Sequence, residues 1–154
     1  MIRKAEQKDI STIIRLLEQV HELHSKNRPD IFRVGSKKYT PELLNEILGD
    51  KKRPIFVDES DGKIIGYIFC VEEEILGDQS LCDMKSLYID DLCVDERLRR
   101  TGTGKRLYEY AKNYAKEQGF YRITLNVWDF NLSAKAFYEK LGLKPLKTVM
   151  EDIL

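Results

Sequence analysis

The chain has 154 residues, of which 42% are hydrophobic and 34% are charged, and this balance predicts one soluble domain large enough to enclose a core. Its 26 basic residues equal its 26 acidic residues, which excludes a protein that coats nucleic acid or a membrane surface through overall positive charge. No apolar segment reaches the roughly 20 residues that cross a bilayer. With three cysteines, no C-x-x-C pair and no signal-peptide pattern, we expect a cytoplasmic protein without disulfides.

Periodic apolar residues predict six strands and four helices. The predicted strands span residues 2–4, 55–59, 63–72, 81–94, 122–127 and 148–153. The predicted helices begin after Asp9, at Thr40, at Thr103 and at Asn131 or Ser133, and they end near His24, at Gly49, at Lys116 and at Gly142. Asp61-Gly62 indicates a hairpin. The order β-α-α-β-β-β-α-β-α-β predicts a three-layer α/β/α sandwich with a mixed, mostly antiparallel sheet.

The strand that ends at Val94 carries two adjacent carboxylates. If its side chains alternate without a bulge, Asp91 lies on the same face as Leu87 and Cys93, and Asp90 lies on the opposite face. The next strand, residues 122–127, is expected to run parallel to it, because a whole helix separates the two.

Between these strands lies the segment Arg99-Arg100-Thr101-Gly102-Thr103-Gly104. A strand that turns through glycines into a helix leaves backbone N–H groups unpaired beside the positive end of the helix dipole, which favours an anion such as phosphate. The spacing excludes a dinucleotide fingerprint, whose third glycine would fall on Leu107, and it excludes a P-loop. Ordinary turns also use glycine for left-handed dihedrals, so this segment alone leaves both interpretations open.

The pattern Arg-x-x-Gly-x-Gly at Arg99, Gly102 and Gly104 resembles the pyrophosphate loop of the GNAT N-acetyltransferases, which bind acetyl-coenzyme A. Residues 88–94 and 131–143 match two further family segments at the family's spacing, and the resemblance covers essentially the whole chain. It implies a single acyltransferase domain spanning the chain, with two parallel strands that splay apart and receive the pantetheine arm of the coenzyme in the gap between them.

The resemblance also implies a set of coenzyme-binding residues. They are Leu92, Cys93, Val94, Arg99, Arg100, Thr101, Gly102, Thr103, Gly104, Lys105, Asn131 and Ala134. An N–H group of Cys93 or Val94 is expected to polarise the thioester carbonyl. Asn131 would reach the pantetheine arm, although a plain helix cap is compatible with the same residue. Arg100 stands where the family commonly has glycine, and it could instead pair with a phosphate.

Three side chains are candidates for proton transfer. Tyr138 lies where the family often places a general acid, which would protonate the departing thiolate; the alternative is that Tyr138 only packs. Asp90 or Asp91 would accept the proton of the acceptor amine, directly or through water, and some polyamine acetyltransferases of the family carry an acidic base at the place of Asp90. The alternative is two solvent-facing carboxylates.

The sequence therefore predicts an enzyme that transfers an acetyl group from acetyl-CoA to a primary amine of a small molecule or peptide by direct attack. The alternative is a catalytically silent coenzyme A-binding or regulatory module. No metal site is expected from His21 and His24, and an acyl-carrying Cys93 would need a histidine base that is absent nearby. Acidic residues at 72–74, 78, 90 and 91 favour a cationic acceptor. No nucleic-acid or membrane partner is expected, and pairing of two copies is left open.

Overall fold

The computed structural model describes residues 1–154 and contains one five-stranded sheet in the order β1-β2-β3-β4-β5. The strands are β1 (Ile2–Lys4), β2 (Ile55–Ser60), β3 (Lys63–Ile75), β4 (Met84–Val94) and β5 (Arg122–Leu125). All neighbouring strands are antiparallel except β4 and β5, which are parallel. The predicted mixed sheet with one parallel pair is confirmed.

Four helices cover the two faces of the sheet. They are α1 (Ile10–Asn27), α2 (Pro41–Gly49), α3 (Thr103–Glu117) and α4 (Leu132–Lys140). One core lies under α1 and α2 and includes Ile13, Leu44 and Tyr67. The other lies under α3 and includes Leu87 and Leu107. None of the helices has the length and apolar character that crossing a membrane requires.

Local sequence signals explain several of the element boundaries. Asp61 and Gly62 take positive φ angles of 49° and 73° in the turn between β2 and β3, as the predicted hairpin requires. Thr40 caps α2, since its hydroxyl accepts the N–H of Leu43 at 3.2 Å. Asp9, in contrast, does not cap α1 with its side chain. Its carboxylate accepts the N–H of Glu6 at 2.8 Å and pairs with Arg3 at 2.7 Å, although α1 begins directly after Asp9 as predicted.

The predicted last strand is absent, because residues 144–154 form no regular secondary structure. The apolar side chains of this segment remain exposed, as those of Leu146, Val149 and Ile153 show. Alternation of apolar and polar residues gives a segment one apolar face, but it does not provide a neighbouring strand. A strand forms only where another strand accepts its hydrogen bonds. For the same reason β5 ends at Leu125 rather than Val127, since its pairing with β4 ends there.

A β-bulge interrupts β4 at its two carboxylates. Phe69 of β3 lies opposite Asp91, whereas the next residue, Cys70, lies opposite Ile89, so Asp90 has no partner on β3. An extra residue of this kind bends the strand and re-aims the side chains beside it.

The expected strict alternation along β4 is therefore wrong. Before the bulge, Leu87 and Ile89 pack under α3. Beyond it, Cys93 packs under α1 and α2. The bulge brings Asp90 and Asp91 to the same face, which is the face of α1 and α2, because both carboxylates contact tyrosines on that side.

Candidate active site

The site begins where β4 and β5 part. Their pairing ends at Ile89 and Leu125, yet β4 continues to Val94, so its outer edge has no strand partner beyond Ile89. The N–H of Asp95 donates to Ile65 on the β3 side at 2.9 Å. Since backbone groups alternate between the two edges of a strand, the N–H groups of Leu92 and Val94 face the gap, and that of Cys93 faces β3. Cys93 and Val94 are the two residues whose N–H group is expected to donate to the thioester carbonyl. Of these two N–H groups, that of Val94 points into the gap.

The glycine loop presents a row of backbone donors. Gly102 is the N-cap of α3 with φ 84°, and it offers no side-chain cap. The first helical bond runs from the N–H of Arg106 to the carbonyl oxygen of Gly102 at 3.0 Å, and no protein group accepts the N–H groups of residues 99–105. Together with the exposed Arg99 and Arg100, this cradle suits the two phosphates of a pyrophosphate.

The side chain of Arg106 anchors the glycine loop. Its guanidinium pairs with Asp58 at 2.7 Å, and the Asp58 side chain is almost fully buried. It also donates to the carbonyl oxygen of Thr101 at 3.3 Å and to the hydroxyl of Thr103 at 2.9 Å. The glycine loop is thus tied to β2 through an ion pair whose carboxylate is buried and whose guanidinium is half exposed.

Gly104 and Asn131 tie α4 to the loop. A Cβ atom at Gly104 would lie 3.2 Å from the ring of Phe137 and 3.7 Å from Leu92. Gly104 therefore permits the close approach of α4 to α3. Asn131 caps α4, since its side chain accepts the N–H of Ala134 at 3.1 Å; contact of Asn131 and Ala134 with a coenzyme stays a prediction.

Asp91 lies in β4, beyond Ile89, the last residue that pairs with β5. It accepts a hydrogen bond from the hydroxyl of Tyr67 at 3.1 Å. Burial raises the pKa of Asp91 to about 6, against the opposing influence of the Lys38 charge and the Tyr67 hydrogen bond. A carboxyl with this pKa is ionised at neutral pH and is basic enough to take a proton.

Asp90 has a different environment. Its Oδ2 atom lies 3.0 Å from the ammonium group of Lys38 and accepts the hydroxyl of Tyr39 at 2.9 Å. The Tyr39 ring is stacked on Phe69 with 5.6 Å between ring centres. Asp90 is therefore an ion-paired carboxylate whose position is fixed by Lys38 and Tyr39, whereas Asp91 makes no ion pair.

Tyr138 lies in α4, next to Phe137, whose ring approaches Gly104 of the glycine loop. Burial raises the pKa of Tyr138 above the ordinary tyrosine range, and the charge of Asp91 raises it further, as does the neighbouring Tyr108. Tyr138 therefore remains protonated throughout the physiological range.

Cys93 does not have the properties of a nucleophile. It is 3% exposed, and burial raises the pKa of its thiol to about 12, so it stays protonated. His24 packs against another ring, since the centres of the His24 and Phe32 rings lie 4.9 Å apart. The chain contains no group of three or more side chains that could together bind a metal ion.

The acidic cluster expected along the hairpin is divided by the structure. Glu72 accepts the hydroxyl of Tyr114 at 2.9 Å, on the α3 face. Asp78 is used within its own turn, where it accepts the N–H of Ser80 at 2.7 Å. Of these acidic residues, Asp90 and Asp91 are the ones whose contacts lie on the face of α1 and α2.

Sequence reasoning missed the residues that orient the two carboxylates, because Tyr39 and Tyr67 come from distant elements and carry no motif. It also missed Gly66. A Cβ atom there would lie 2.8 Å from the carbonyl oxygen of Cys93 and 3.1 Å from Leu107. The isolated glycine in a strand pattern was the available signal for such a close approach.

A group of aromatic rings packs between the loop after α1 and the segment after β5. Phe32, in the α1–α2 loop, contacts Trp128 after β5 with 5.1 Å between ring centres. Trp128 stacks on Phe130 at 6.0 Å, and Phe130 contacts His24 at 6.0 Å. These rings connect the loop that carries Lys38 to the segment that follows β5.

The chain is similar to known acetyltransferases in sequence and in fold. The family described as the Acetyltransferase (GNAT) family matches residues 17–143. The chain is 30% identical over 142 residues to the uncharacterized N-acetyltransferase YhfO of Bacillus subtilis, covering 92% of this chain and 87% of that protein. A mutant of the BH1408 protein from Bacillus halodurans has a TM-score of 0.97 at 35% identity, covering 100% of this chain and 99% of that one. Glucosamine-6-phosphate N-acetyltransferase from Arabidopsis thaliana has a TM-score of 0.72 at 27% identity, covering 99% and 97%. The chain belongs to the GNAT acetyltransferase family.

Proposed function

We propose that this protein transfers an acetyl group from acetyl-CoA to a primary amine that carries positive charge, by direct attack of the amine. The observation that carries the proposal is the unpaired outer edge of β4 beyond Ile89, with Asp91 in the same segment and hydrogen-bonded to Tyr67. A carboxylate that can act as a base thereby lies where β4 leaves its backbone donors unpaired, and Tyr138 of α4 is the proposed acid.

Two features support the binding of acetyl-CoA, which the GNAT family uses as its co-substrate. The unpaired N–H groups of residues 99–105 would hold the pyrophosphate, and the open edge at residues 92–94 would pair with the pantetheine arm. When bound, acetyl-CoA supplies an activated thioester. The Val94 N–H, which faces the gap, would bind the thioester oxygen as negative charge develops on it.

Asp91 is the better base of the two carboxylates. A free amine with a reference pKa near 10.4 arrives protonated at neutral pH and must lose a proton before it attacks. Asp91 has a pKa of about 6 and no bound cation, whereas Lys38 and Tyr39 both occupy Oδ2 of Asp90. Asp90, which is already paired with Lys38, would take part in acceptor binding rather than in proton transfer.

Tyr138 supplies the acid. Because its pKa is raised, its hydroxyl is present as a proton donor over the whole working range. It would protonate the sulfur as the carbon–sulfur bond breaks, which prevents a thiolate from re-attacking the product.

The surroundings favour a cationic acceptor. Asp90 and Asp91 lie on one face, and the ring of Tyr39 stands beside Asp90. Carboxylates and aromatic faces attract an ammonium group, and this attraction is weakened by salt.

A thiol-release assay with a panel of amines tests the proposal. Polyamines and lysine-like amines should release free coenzyme A faster than neutral amines or amino acids with a carboxylate beside the amine, and the difference should shrink as salt increases. Calorimetry with coenzyme A provides the second measurement. Binding without thiol release for any amine would instead indicate a silent coenzyme A-binding module.

A further inference from the structure

Lys38 places a primary amine of the chain itself in the proposed acceptor site. Its Nζ atom lies 3.0 Å from Asp90 Oδ2 and 5.5 Å from the centre of the Tyr39 ring. These are the groups that would recognise a cationic acceptor. The Lys38 charge is also the largest influence that lowers the pKa of Asp91, so Lys38 is within electrostatic reach of both carboxylates.

The position of Lys38 in the chain allows its amine to move. No helix or strand lies between the end of α1 at Asn27 and the start of α2 at Pro41. The Lys38 side chain is 37% exposed, so it is not buried in the core, yet it still contacts Asp90. A tethered amine next to the reacting centre competes with dissolved amines at a high effective concentration.

We propose that Lys38 is acetylated by its own active site when acetyl-CoA is bound and no acceptor amine is present. This inference rests on the proposed function. Lys38 Nζ gives one proton to Asp91 and attacks the carbonyl carbon of the acetyl thioester. The nitrogen–carbon bond forms as the carbon–sulfur bond breaks, and the sulfur takes the proton of Tyr138. The second proton of the nitrogen restores the Tyr138 hydroxyl through solvent, leaving acetyl-lysine and free coenzyme A.

Acetylation would change the site in two ways. The neutral amide no longer pairs with Asp90, which leaves that carboxylate without its cation. The pKa of Asp91 rises, because the charge that lowers it is removed. A larger fraction of Asp91 is then protonated at neutral pH and less of it is ionised to accept a proton, so acetylation of Lys38 limits the enzyme's own activity.

Lys37 is a matched control in the same chain. Its Nζ atom pairs with Glu18 of α1 at 3.0 Å, and its side chain is 56% exposed, compared with 37% for Lys38. Acetylation of lysines by acetyl-CoA without catalysis follows exposure, and it would label Lys37 at least as fast as Lys38.

The experiment incubates the purified protein with acetyl-CoA alone and follows both lysines by peptide mass spectrometry. We expect label at Lys38 to appear at least about tenfold faster than at Lys37, as a positioned amine gains orders of magnitude in rate. The rate constant should not depend on protein concentration. Asp91→Asn and Tyr138→Phe should slow the labelling of Lys38 and leave that of Lys37 unchanged.

Equal labelling of the two lysines, or a rate constant that rises with protein concentration, would overturn the inference. Thiol release with an added amine but no label at Lys38 overturns it while leaving the proposed function intact. If no amine of the panel causes thiol release and neither lysine is labelled, both the inference and the proposed function are overturned.

A second measurement needs no coenzyme. Lys38→Gln carries an uncharged amide like that of acetyl-lysine, and it should move the titration of the Asp91 carboxyl to higher pH in carbon-detected NMR. Lys37→Gln is the control and should leave this titration in place. An unchanged Asp91 titration in Lys38→Gln would contradict the loss of activity expected from acetylation.

Discussion

The hydroxyl of Tyr67 donates a hydrogen bond to Asp91 Oδ2 at 3.1 Å, from β3 to the residue after the bulge in β4. Tyr67 has no exposed surface, and burial raises its pKa well above the ordinary value, with a further contribution from the Asp91 charge. Tyr67 therefore always carries the proton of this bond, and it fixes the orientation of the carboxylate without competing for the acceptor's proton.

The pKa of Asp91 determines how the reaction rate should fall at low pH. Asp91 has a pKa of about 6, so it is protonated and inactive as a base below that pH and ionised above it. We expect kcat/KM for an amine to fall as pH decreases through about 6. Asp91→Asn should lower kcat/KM by about 10²–10⁴-fold at neutral pH and partly recover as the amine deprotonates at high pH. Asp90→Asn should mainly raise KM for the amine; the opposite assignment of effects would make Asp90 the base.

The same carboxyl should reduce the stability of the fold at neutral pH. The folded pKa of about 6 exceeds the ordinary 3.8, so the folded state binds more protons between these values and its stability falls as pH rises through this window. The cost at neutral pH is on the order of 2–3 kcal/mol. We expect Asp91→Asn to be more stable than the wild type at pH 7 in urea unfolding, with the gain disappearing near pH 4. Equal stability at pH 7 would mean that the carboxylate is well solvated.

Much of this site follows from local sequence, and the rest depends on tertiary pairing. The glycine loop, the Asn131 cap and the hairpin are set by neighbouring residues, so their patterns were sufficient. The bulge at Asp90 is set by how β4 pairs with β3, which no single strand reveals. Residues 148–153 have the sequence pattern of a strand but form none, because no neighbouring strand is there to pair with them.

The acid can be tested by removing one oxygen. Tyr138→Phe keeps the ring and its packing but removes the hydroxyl, so kcat should fall by about 10²–10⁴-fold while acetyl-CoA affinity in calorimetry changes little. Tyr110→Phe is a suitable control, since Tyr110 is 38% exposed on α3 and packs against Phe56. Wild-type kcat in Tyr138→Phe would reduce Tyr138 to a packing residue.

Gly66 should be intolerant of even a methyl group. A Cβ atom there would lie 2.8 Å from the backbone oxygen of Cys93, which cannot move without disturbing β4. We expect Gly66→Ala to lose about 1–3 kcal/mol of unfolding free energy. Gly49→Ala provides the comparison, because nothing lies within 4 Å of its Cβ position, and its stability should be unchanged or higher. Equal stability of the two variants would show that the sheet relaxes at Gly66.

Arg106 should control the affinity for acetyl-CoA without taking part in the chemistry. Arg106→Lys keeps a positive charge beside the buried Asp58, but one ammonium group cannot also hold the Thr101 carbonyl and the Thr103 hydroxyl. The loop then loses its support while the fold keeps the charge pair with Asp58. We expect KM for acetyl-CoA to rise about tenfold, equivalent to about 1.4 kcal/mol, with kcat nearly unchanged.

The control for this prediction lies in the same connection. The Arg97 side chain makes no ion pair, so Arg97→Lys should leave both constants and the unfolding temperature unchanged. An equal rise in KM for both variants would mean that general positive charge near the loop sets the affinity. A fall in kcat with unchanged KM in Arg106→Lys would instead place the effect of Arg106 on the reacting groups, because a loop that only binds pyrophosphate cannot lower the rate at saturating coenzyme.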